Sequence, residues 1–579
     1  MIFRFFHRFE WALAALAVAL SVCQIYMDML LPQYMETITD SFLQNRTDVV
    51  LQNGTEMLGV AAASVALSLC VGFVVSRMAA SVGRNIRIDQ FDRVQSFSMQ
   101  DINRFSASSL ITRSTNDVYQ VQTFIARGMQ AVVKAPIMGV WAVSRIYSTH
   151  EAWLIIVVAG LLAIVLVSFV SLKVATPLFR NVQWFTDGVN RSTRESLDGI
   201  RVIRAYNAER YQEERFDAAN DLLLDNNVRA TRAMVFPMPV TQAVNNFIIL
   251  GIYWVGAGIV LSAGDADKAL YFTDMIVVTT YSSMVISAFM MILGIFRMLP
   301  RAMVGMRRIE EVVNTEPSVA GGTATEGVPG MRGAVEFRNV SFSYPGTGKE
   351  VLHDVSFTVP PGGTFAIIGS TGSGKTTLVD LMMRFYDACS GQVLVDGLDV
   401  REYDLRALHS RIGYVPQSAV IFSGTVEENV NYGSGSEDRT EKDVLKALEI
   451  AQAEFVLSMP DGIRSRISQH GRNLSGGQKQ RISIARAVCR RPGIYILDDA
   501  FSALDYRTDR ALREALEWET SGSTRIIVAQ RIGTIMDADA IIVLDEGRIV
   551  GAGRHRDLLR DCPLYRDIAS SQMTEEELA

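Results

Sequence analysis

Six apolar runs precede residue 303, and they constrain the fold of this chain more than any other feature. A helix of about 20 apolar residues crosses the ~30 Å hydrocarbon layer of a bilayer. The runs centre on Ala17, Val65, Met138, Leu162, Ile249 and Val285. Hydrophobic residues make up 49% of the chain and charged residues only 20%, which is too apolar for a uniformly soluble protein. The sequence therefore predicts a membrane domain of six helices.

The loops between these runs indicate how the chain is oriented. Long polar stretches follow the second and fourth runs, and both are rich in arginine, which concentrates in cytoplasmic loops. Arg4 and Arg8 precede the first run; they imitate a signal peptide, but the apolar run continues past Ala17 and more runs follow. We expect a multi-pass plasma membrane protein, in a bacterial inner membrane, with its N-terminus and everything after the sixth run in the cytoplasm.

Net charge and cysteine spacing exclude several classes of protein. The chain has 56 Lys and Arg against 62 Asp and Glu, a net charge of -6, so no global basic field is present to hold a nucleic acid. The 5 cysteines lie far apart, without the spacing of a zinc site or a disulfide framework. We expect reduced cysteines and no nucleic-acid partner.

The composition changes after Arg301. Residues 318–327 are rich in Gly, Ser and Thr, which predicts a flexible linker. Beyond Gly333, short β-type runs alternate with helical stretches, a pattern typical of a mostly parallel α/β sheet. These runs are 334–337, 365–368, 392–395, 412–415, 495–497, 526–528 and 541–544, and 545–547 are the predicted turn of a terminal hairpin. The predicted divisions are residues 1–308 for the membrane domain, 309–332 for the linker and 333–579 for the soluble domain.

A glycine-rich loop follows the predicted strand 365–368 and opens a helix. Its residues are Gly369, Ser370, Thr371, Gly372, Ser373, Gly374, Lys375, Thr376 and Thr377. In such a P-loop, backbone N–H groups wrap nucleotide phosphates, Lys375 reaches the β- and γ-phosphates, and the Thr376 hydroxyl ligates Mg²⁺. The apolar strand 494–497 ends in Asp498, a carboxylate placed where P-loop sites hold their metal ion. These motifs predict a site for ATP and Mg²⁺.

Further motifs identify a family. Leu474-Ser475-Gly476-Gly477-Gln478, Tyr344 before the P-loop, Gln417 in Val415-Pro416-Gln417, and Ser502-Ala503-Leu504-Asp505 all resemble an ATP-binding cassette (ABC) half-transporter of the exporter fold. Residues 113–117 and 199–206 resemble the two intracellular loops of that family. The resemblance implies a six-helix all-α transmembrane domain followed by an α/β P-loop ATP-binding cassette domain.

The resemblance also implies roles for single residues. Tyr344 is expected to stack on adenine, and Gln417 to sense Mg²⁺ and the γ-phosphate. The signature residues Ser475, Gly476, Gly477 and Gln478 are expected to close over ATP that the other subunit's P-loop holds. A hydroxyl, two glycines and a helix N-terminus suit an anionic phosphate.

The chain departs from the family at three places. The family has Glu after the metal-binding Asp, whereas this chain has Asp499, whose carboxylate is withdrawn by roughly 1–1.5 Å, a distance that matters for a positioned catalytic group. Gln530 replaces the family's switch histidine and cannot carry its proton. Residues 468–471 replace Gly-Glu-x-Gly before the signature, which predicts asymmetric coupling. An intact signature beside two altered catalytic positions predicts slow hydrolysis at this chain's own site and a heterodimer.

The predicted function is that of one subunit of a heterodimeric, ATP-driven exporter. Its partners would be a non-identical ABC half-transporter, the lipid bilayer, and an amphipathic small molecule that is drug-like or lipid-like, as for multidrug exporters. The partner's site would perform most of the ATPase reaction. Two alternatives remain open at this point: an exporter-fold importer of a metal-chelating molecule, and an ATP-gated regulatory subunit that does not transport.

The sequence leaves the substrate site open. Met284, Met291 and Met298 share one helix face, which suits either an adaptable binding surface or ordinary packing. Charged residues within or at the ends of the spans are Asp28, Lys134, Asp274 and Arg297. They are candidates either for substrate contact or for anchoring at the membrane interface.

Overall fold

The computed structural model of the chain describes residues 2–264, 267–433 and 439–574, except for the side chain of Arg297. The chain forms two compact units. The first comprises Met1–Arg93 and Ser108–Asn314, and the second comprises Val94–Ala107 and Thr315–Ala579. The boundary at Asn314 lies inside the range 309–332 predicted as a linker.

Long helices dominate the first part of the chain. They are α1 (Arg8–Leu43), α2 (Thr47–Gln95), α3 (Met99–Phe105), α4 (Ala107–Thr112), α5 (Val118–Thr149), α6 (Glu151–Asp198), α7 (Ile200–Ala205), α8 (Glu209–Val235), α9 (Pro237–Ser262) and α10 (Lys268–Asn314). A 3₁₀ turn, Ile2–Phe5, precedes α1, and a π-helical turn, Arg113–Asp117, joins α4 to α5. The short helix α3 belongs to the second unit.

Helices long and apolar enough to span a membrane are present as predicted. They are α1 (Arg8–Leu43), α2 (Thr47–Gln95), α6 (Glu151–Asp198), α8 and α9 taken as one stretch (Glu209–Ser262), and α10 (Lys268–Asn314). The remaining predicted span, around Met138, lies in α5, which has 32 residues but carries Arg127, Lys134 and Arg145 and is less apolar. Inside the unit, Trp153, Ile252 and Tyr281 of α6, α9 and α10 pack into one buried cluster.

The second unit is an α/β domain. Its strands are β1 (Val335–Ser343), β2 (Glu350–Val359), β3 (Thr364–Gly369), β4 (Ser390–Val395), β5 (Leu398–Asp399), β6 (Ile412–Val415), β7 (Gly424–Thr425), β8 (Arg466–Ile467), β9 (Ile494–Asp498), β10 (Thr524–Val528), β11 (Ala540–Asp545) and β12 (Arg548–Gly553). Its further helices are α11 (Lys375–Met382), α12 (Leu405–Ser410), α13 (Val426–Val430), α14 (Glu441–Ile450), α15 (Gly476–Cys489), α16 (Tyr506–Glu519), α17 (His555–Asp561) and α18 (Pro563–Gln572). The predicted fold class, a helical membrane domain followed by an α/β domain, is confirmed.

One sheet positions the predicted nucleotide site. Its strand order is β12-β11-β3-β10-β9-β6, and β11, β3, β10, β9 and β6 run parallel to their neighbours. Val528 of β10 pairs with Ile367 on one side and Asp498 on the other. The P-loop and the acidic strand therefore end at the same edge of the sheet, where α/β proteins bind ligands.

Six of the seven predicted β-runs lie wholly in strands, and the seventh, 334–337, begins one residue before β1. The turn 545–547 closes a hairpin in which Asp545 pairs with Arg548. Strand β2 was not predicted. It pairs with β1 in a separate antiparallel sheet with order β2-β1-β4-β5, and its sequence interrupts apolar residues with His353 and Asp354. Its irregular register with β1 explains why no clean alternation marks it.

The segment 318–327 is not a free linker, contrary to the expectation from its composition. The Gly322 N–H donates to the Tyr403 carbonyl at 2.7 Å, and the Ala324 N–H donates to the Glu402 carbonyl at 2.9 Å. Val319 is buried. Glycine and serine content reports backbone freedom in an isolated chain, whereas these hydrogen bonds come from a distant segment that composition does not reveal.

Helix α3 is attached to the rest of the second unit by a carboxylate and an amide side chain. Asp101 Oδ2 accepts hydrogen bonds from the Ser98 N–H and from the Ser318 N–H, each at 3.0 Å. The Asn103 side chain donates to the Tyr386 hydroxyl at 3.0 Å. Within the segment 94–107, the rings of Phe97 and Phe105 are stacked on each other.

Candidate functional site

The P-loop connects the end of β3 to the start of α11. Gly369 allows close approach of β11, because a Cβ there would lie 2.0 Å from the Leu544 carbonyl oxygen. Gly374 caps α11 with φ 103, a conformation that favours glycine. The Lys375 ammonium donates to the Gly369 and Ser370 carbonyls at 2.9 and 2.7 Å. The lysine is thereby held within its own loop.

A cavity of about 310 Å³ lies beside this loop. Its lining residues are Tyr344, Val351, Thr371, Gly372, Gly374, Lys375, Thr376, Thr377, Gln417, Asp498, Asp499, Val528, Ala529 and Gln530. Most of the predicted site residues meet here, and Gly369, Ser370 and Ser373 belong to the same loop without lining the cavity. Val351, Val528 and Ala529 were not predicted as site residues.

Asp498 at the end of β9 is suited to a metal ion. Its side chain is buried, and within the described residues its Oδ2 has no hydrogen-bond partner. Burial, and next the charge of Asp499, raise its pKa to about 6, although a Thr376 hydrogen bond opposes this. A positive ion would favour the ionised form. Thr376 and Gln417 add oxygen atoms in the same cavity, and oxygen ligands are those that Mg²⁺ prefers.

The donor set fits Mg²⁺ held together with nucleotide phosphates. Among the described residues, no group of three or more His, Cys, Asp or Glu side chains forms a metal cluster. Magnesium in nucleotide sites is usually bound by one or two carboxylates plus phosphate oxygens and water, so such a cluster is not required. Burial lowers the pKa of Lys375, and the charges of Asp498 and Asp499 act in the opposite direction. A phosphate beside the ammonium would likewise favour its charged form.

Asp499 follows β9 in a left-handed conformation, with φ 48. Its N–H donates to the Val528 carbonyl at 2.8 Å, which ties it to the neighbouring strand. Gln417 Nε2 lies 3.4 Å from its Oδ2, and burial raises the pKa of this carboxyl. The side chain lines the cavity, but it already contacts Gln417.

Tyr344 lies next to the P-loop helix. Its hydroxyl is 3.1 Å from Thr377 Oγ1 and donates to Asp380 Oδ2 at 3.2 Å. Its ring meets the Tyr386 ring edge-on, with centroids 5.2 Å apart. Burial raises the pKa of Asp380 to about 6. Asp380 was missed by the sequence analysis, and its signal was a lone acid inside the apolar run 378–382.

A glutamine far along the chain holds the backbone around Gln530. Gln572 Nε2, at the end of α18, donates to the Gln530 carbonyl at 2.8 Å, and the Ile532 N–H donates to Gln572 Oε1 at 2.9 Å. One amide side chain thus satisfies two backbone groups on either side of Arg531. No motif could have revealed this residue, because it lies 40 positions from Ile532.

The signature lies outside the cavity. Ser475 caps α15, where the Gln478 N–H donates to its hydroxyl at 3.3 Å, and Ser475 is exposed. Gly477 allows close packing, because a Cβ there would lie 3.0 Å from the Ala503 carbonyl. From the same helix, Gln480 donates to the Asp499 carbonyl at 3.2 Å. The signature and the cavity are therefore two separate surfaces of one unit, linked by the hydrogen bond from Gln480 to Asp499.

The loop 468–471 before the signature has its own support. The Ser468 N–H and hydroxyl both donate to Asn473 Oδ1 at 3.0 Å, and His470 adopts φ 60. These residues do not line the cavity.

Comparisons with known proteins agree on the class of this chain. Residues 14–289 match the family described as the ABC transporter transmembrane region, and residues 352–502 match the family described as ABC transporter. An uncharacterized ABC transporter ATP-binding protein of Mycobacterium tuberculosis is 40% identical over 523 residues, which is 89% of this chain and 88% of that protein. An uncharacterized ABC transporter ATP-binding protein of Bacillus subtilis is 36% identical and covers 90% of this chain and 89% of its own length.

Two further comparisons extend this result. An ATP-dependent lipid A-core flippase of Paraburkholderia xenovorans is 33% identical, over 87% of this chain and 83% of that protein. The structure of a bacterial Atm1-family ABC exporter with ATP bound superposes with a TM-score of 0.81, covering 98% of this chain and 99% of that one at 24% identity. The structural match supports the fold.

Proposed function

The chain belongs to the ABC transporters, as a half-transporter of the exporter fold, and from this premise we propose that it is the subunit of a heterodimer that carries the degenerate ATP site. As an ABC exporter half it is a multi-pass membrane protein that uses ATP to drive transport. The proposed division of labour is specific. This chain supplies a site that binds and retains ATP, and its exposed signature completes the hydrolytic site of a non-identical partner.

One observation carries this proposal: both altered catalytic positions lie on the same cavity as an intact P-loop. Lys375, Thr376 and Asp498 line that cavity together with Asp499 and Gln530. The groups needed to bind Mg-ATP are present, whereas the group that would position the attacking water is shortened and the switch residue cannot take up a proton. The joint loss of both catalytic groups, beside an intact P-loop and an intact signature, is better explained by one degenerate site in a heterodimer than by independent drift.

The residues of this cavity have distinct tasks. Lys375 is held by two P-loop carbonyls and is placed to exchange them for β- and γ-phosphate oxygens. Backbone N–H groups of Gly372 to Thr376 and the N-terminus of α11 surround the phosphates. Bound Mg²⁺ would neutralise phosphate charge, with Asp498 and Thr376 holding it. Gln417, which contacts Asp499, links this metal position to the shortened carboxylate.

The substrate class follows from relatives and is itself a proposal. The related flippase is described as acting on lipid A-core. We therefore expect an amphipathic drug-like or lipid-like molecule, moved outward across the plasma membrane with both the N-terminus and the ATP-binding unit in the cytoplasm. ATP drives the change of state only because it binds the closed pair of cassettes more tightly than the open pair.

Co-purification tests the heterodimer. The chain is tagged at its own locus, and the proteins that leave the membrane with it are identified by mass spectrometry. We expect a second ABC half-transporter with Asp-Glu after its acidic strand, a switch His, and a signature that departs from Leu-Ser-Gly-Gly-Gln. An isolated homodimer of this chain that hydrolyses ATP at an ordinary exporter rate, on the order of 1–10 s⁻¹, contradicts the proposal.

The contact between Gln572 and the segment 530–532 can be tested without the partner subunit. Gln572→Ala removes the acceptor of the Ile532 N–H, and one neutral hydrogen bond contributes about 1 kcal/mol, so amide exchange at Ile532 should accelerate by roughly fivefold. Hydrogen-deuterium exchange with mass spectrometry measures it. Gln572→Glu is the matched control, because it keeps an acceptor oxygen. Unchanged exchange at Ile532 in Gln572→Ala would show that α18 does not hold position 530.

A further inference from the structure

Three helices of the transmembrane region, α1, α2 and α5, bring polar side chains together in the first unit. Asp28 of α1 lies beside Lys134 of α5, with 3.7 Å between Oδ2 and Nζ. The other carboxylate oxygen, Oδ1, accepts a hydrogen bond from the Ser64 hydroxyl of α2. The side chains of Lys134 and Asp28 are 20% and 29% exposed, so the pair is accessible as well as partly buried. Charges on membrane-spanning helices commonly mark the path of a substrate.

Within the described part of the chain, the ammonium of Lys134 makes no hydrogen bond, although it has three N–H donors. Its one ion-pair contact among these residues is Asp28, at 3.7 Å. A cation in a low-dielectric environment is costly unless it is both paired and hydrogen-bonded. The ammonium can therefore bind a further anionic group, and the carboxylate of Asp28 can bind a cationic group.

Two alternative interpretations, a stabilising ion pair and an anchor at the membrane interface, account less well for this geometry. An optimised ion pair forms charge-assisted hydrogen bonds at about 2.7–2.9 Å, as between Arg113 and Glu311 in the same unit, at 2.7 Å, whereas Lys134 is an ångström further from its partner. An interfacial anchor extends along its own helix toward the headgroups, whereas Lys134 lies beside a carboxylate of another helix. The loose pair joins α1 and α5 and leaves the ammonium of Lys134 without a hydrogen bond in the described residues, while Asp28 is hydrogen-bonded only through Oδ1, to Ser64.

We propose that Asp28 and Lys134 together bind the head group of the transported amphiphile, and that this head group is zwitterionic. The anionic part of the head group accepts hydrogen bonds from the ammonium of Lys134. Its cationic part lies against the carboxylate of Asp28, which the Ser64 hydroxyl holds in place. The preference follows from the neutrality of the pair. A ligand with a net positive charge would pair with Asp28 and leave Lys134 uncompensated in the membrane, and a net anion would do the reverse. This inference rests on the proposed transport function and specifies its substrate.

Binding of three matched amphiphiles tests the inference. The probes are N-dodecyl-N,N-dimethylglycine, dodecyltrimethylammonium and laurate, which share a similar tail and differ in head-group charge. Binding to the purified complex in phosphatidylglycerol nanodiscs is read by native mass spectrometry, and stimulation of ATPase activity is a second readout. We expect the zwitterion to bind the unmodified complex at least tenfold more tightly than either charged probe.

Two variants should change this preference in opposite directions. Lys134→Met removes the cation at similar length, so zwitterion affinity should fall by at least tenfold and the order should shift toward dodecyltrimethylammonium. Asp28→Asn should lower zwitterion affinity and shift the order toward laurate. Lys173→Met is the matched control, because Lys173 lies on the membrane helix α6 without an ion-pair partner in the described residues, and it should leave the order unchanged.

Three results would overturn the inference. The first is no preference for the zwitterion in the unmodified complex. The second is an unchanged order in both variants. The third is a lower melting temperature in each single variant that the double variant restores without any change of order, which would make the pair a packing element. Because binding is read directly, failure of the heterodimer proposal would appear in co-purification and leave these binding results interpretable.

Discussion

Replacing Ser475 by arginine is expected to lower the ATPase activity of the complex by on the order of 100-fold, the scale on which single groups that stabilise transition-state charge act. Ser475 is exposed, and its hydroxyl faces no group of this chain's cavity. An arginine there puts bulk where the γ-phosphate of partner-bound ATP would dock against the N-terminus of α15. Steady-state phosphate release from the purified complex measures the effect.

Two controls separate this effect from damage to the fold. Thr440→Arg also removes an N-cap and a capping box, here from α14, and should leave activity within about twofold because it costs only about 1 kcal/mol of helix stability. Asp499→Asn alters this chain's own site and should also have little effect. If Asp499→Asn abolished hydrolysis while Ser475→Arg did not, the hydrolytic and the retaining site would have to be exchanged.

The second large effect is expected at the retaining site itself. Asp499→Glu together with Gln530→His restores the carboxylate reach and the titratable switch, so hydrolysis at this chain's P-loop should rise by on the order of 100-fold, the range attributed to general acid-base groups. Asp499 lines the cavity and its backbone is fixed by Val528, so the longer side chain starts from a defined position. We do not expect transport to rise in proportion, because the proposed coupling also involves the altered loop 468–471.

Single-turnover trapping measures this change. Labelled ATP is bound to the complex, and the nucleotide recovered from this chain's P-loop is analysed after the partner site has turned over. The unmodified chain should return ATP, and the double variant ADP. A variant with Lys375→Ala, which loses the phosphate contact, should return neither. Rapid conversion to ADP in the unmodified chain would contradict retention of ATP.

Local sequence signals predicted the parts of the site that are contiguous in the chain. The P-loop follows β3, as the apolar run 365–368 and the glycine pattern after it predicted. Asp498 ends β9, as the apolar run 494–497 indicated. Both depend on nearest neighbours and on the periodicity of buried strands. Asp380 and Gln572 escaped because their importance arises from contacts with Tyr344 and with residues 530–532, which only the folded chain brings close.

The membrane half shows the same distinction. Apolar runs predicted where helices cross, since length and hydropathy are local properties. They did not predict that Asp28, Ser64 and Lys134 would meet, because that depends on how α1, α2 and α5 pack. The flexible linker was misjudged for the same reason: the segment 318–327 is fixed by partners in 402–403, far along the chain.

The attachment of α3 through Asp101 means that the ATP-binding unit is discontinuous in the sequence. A recombinant fragment that starts at Thr315 would lack residues 94–107, and with them the acceptor for the Ser318 N–H and the partner of the Tyr386 hydroxyl. Its surface would then present polar groups that the whole chain keeps satisfied. Kinetic constants obtained from such a fragment would describe a truncated domain, and the shortest complete cassette would have to include the loop segment that the membrane half donates to it.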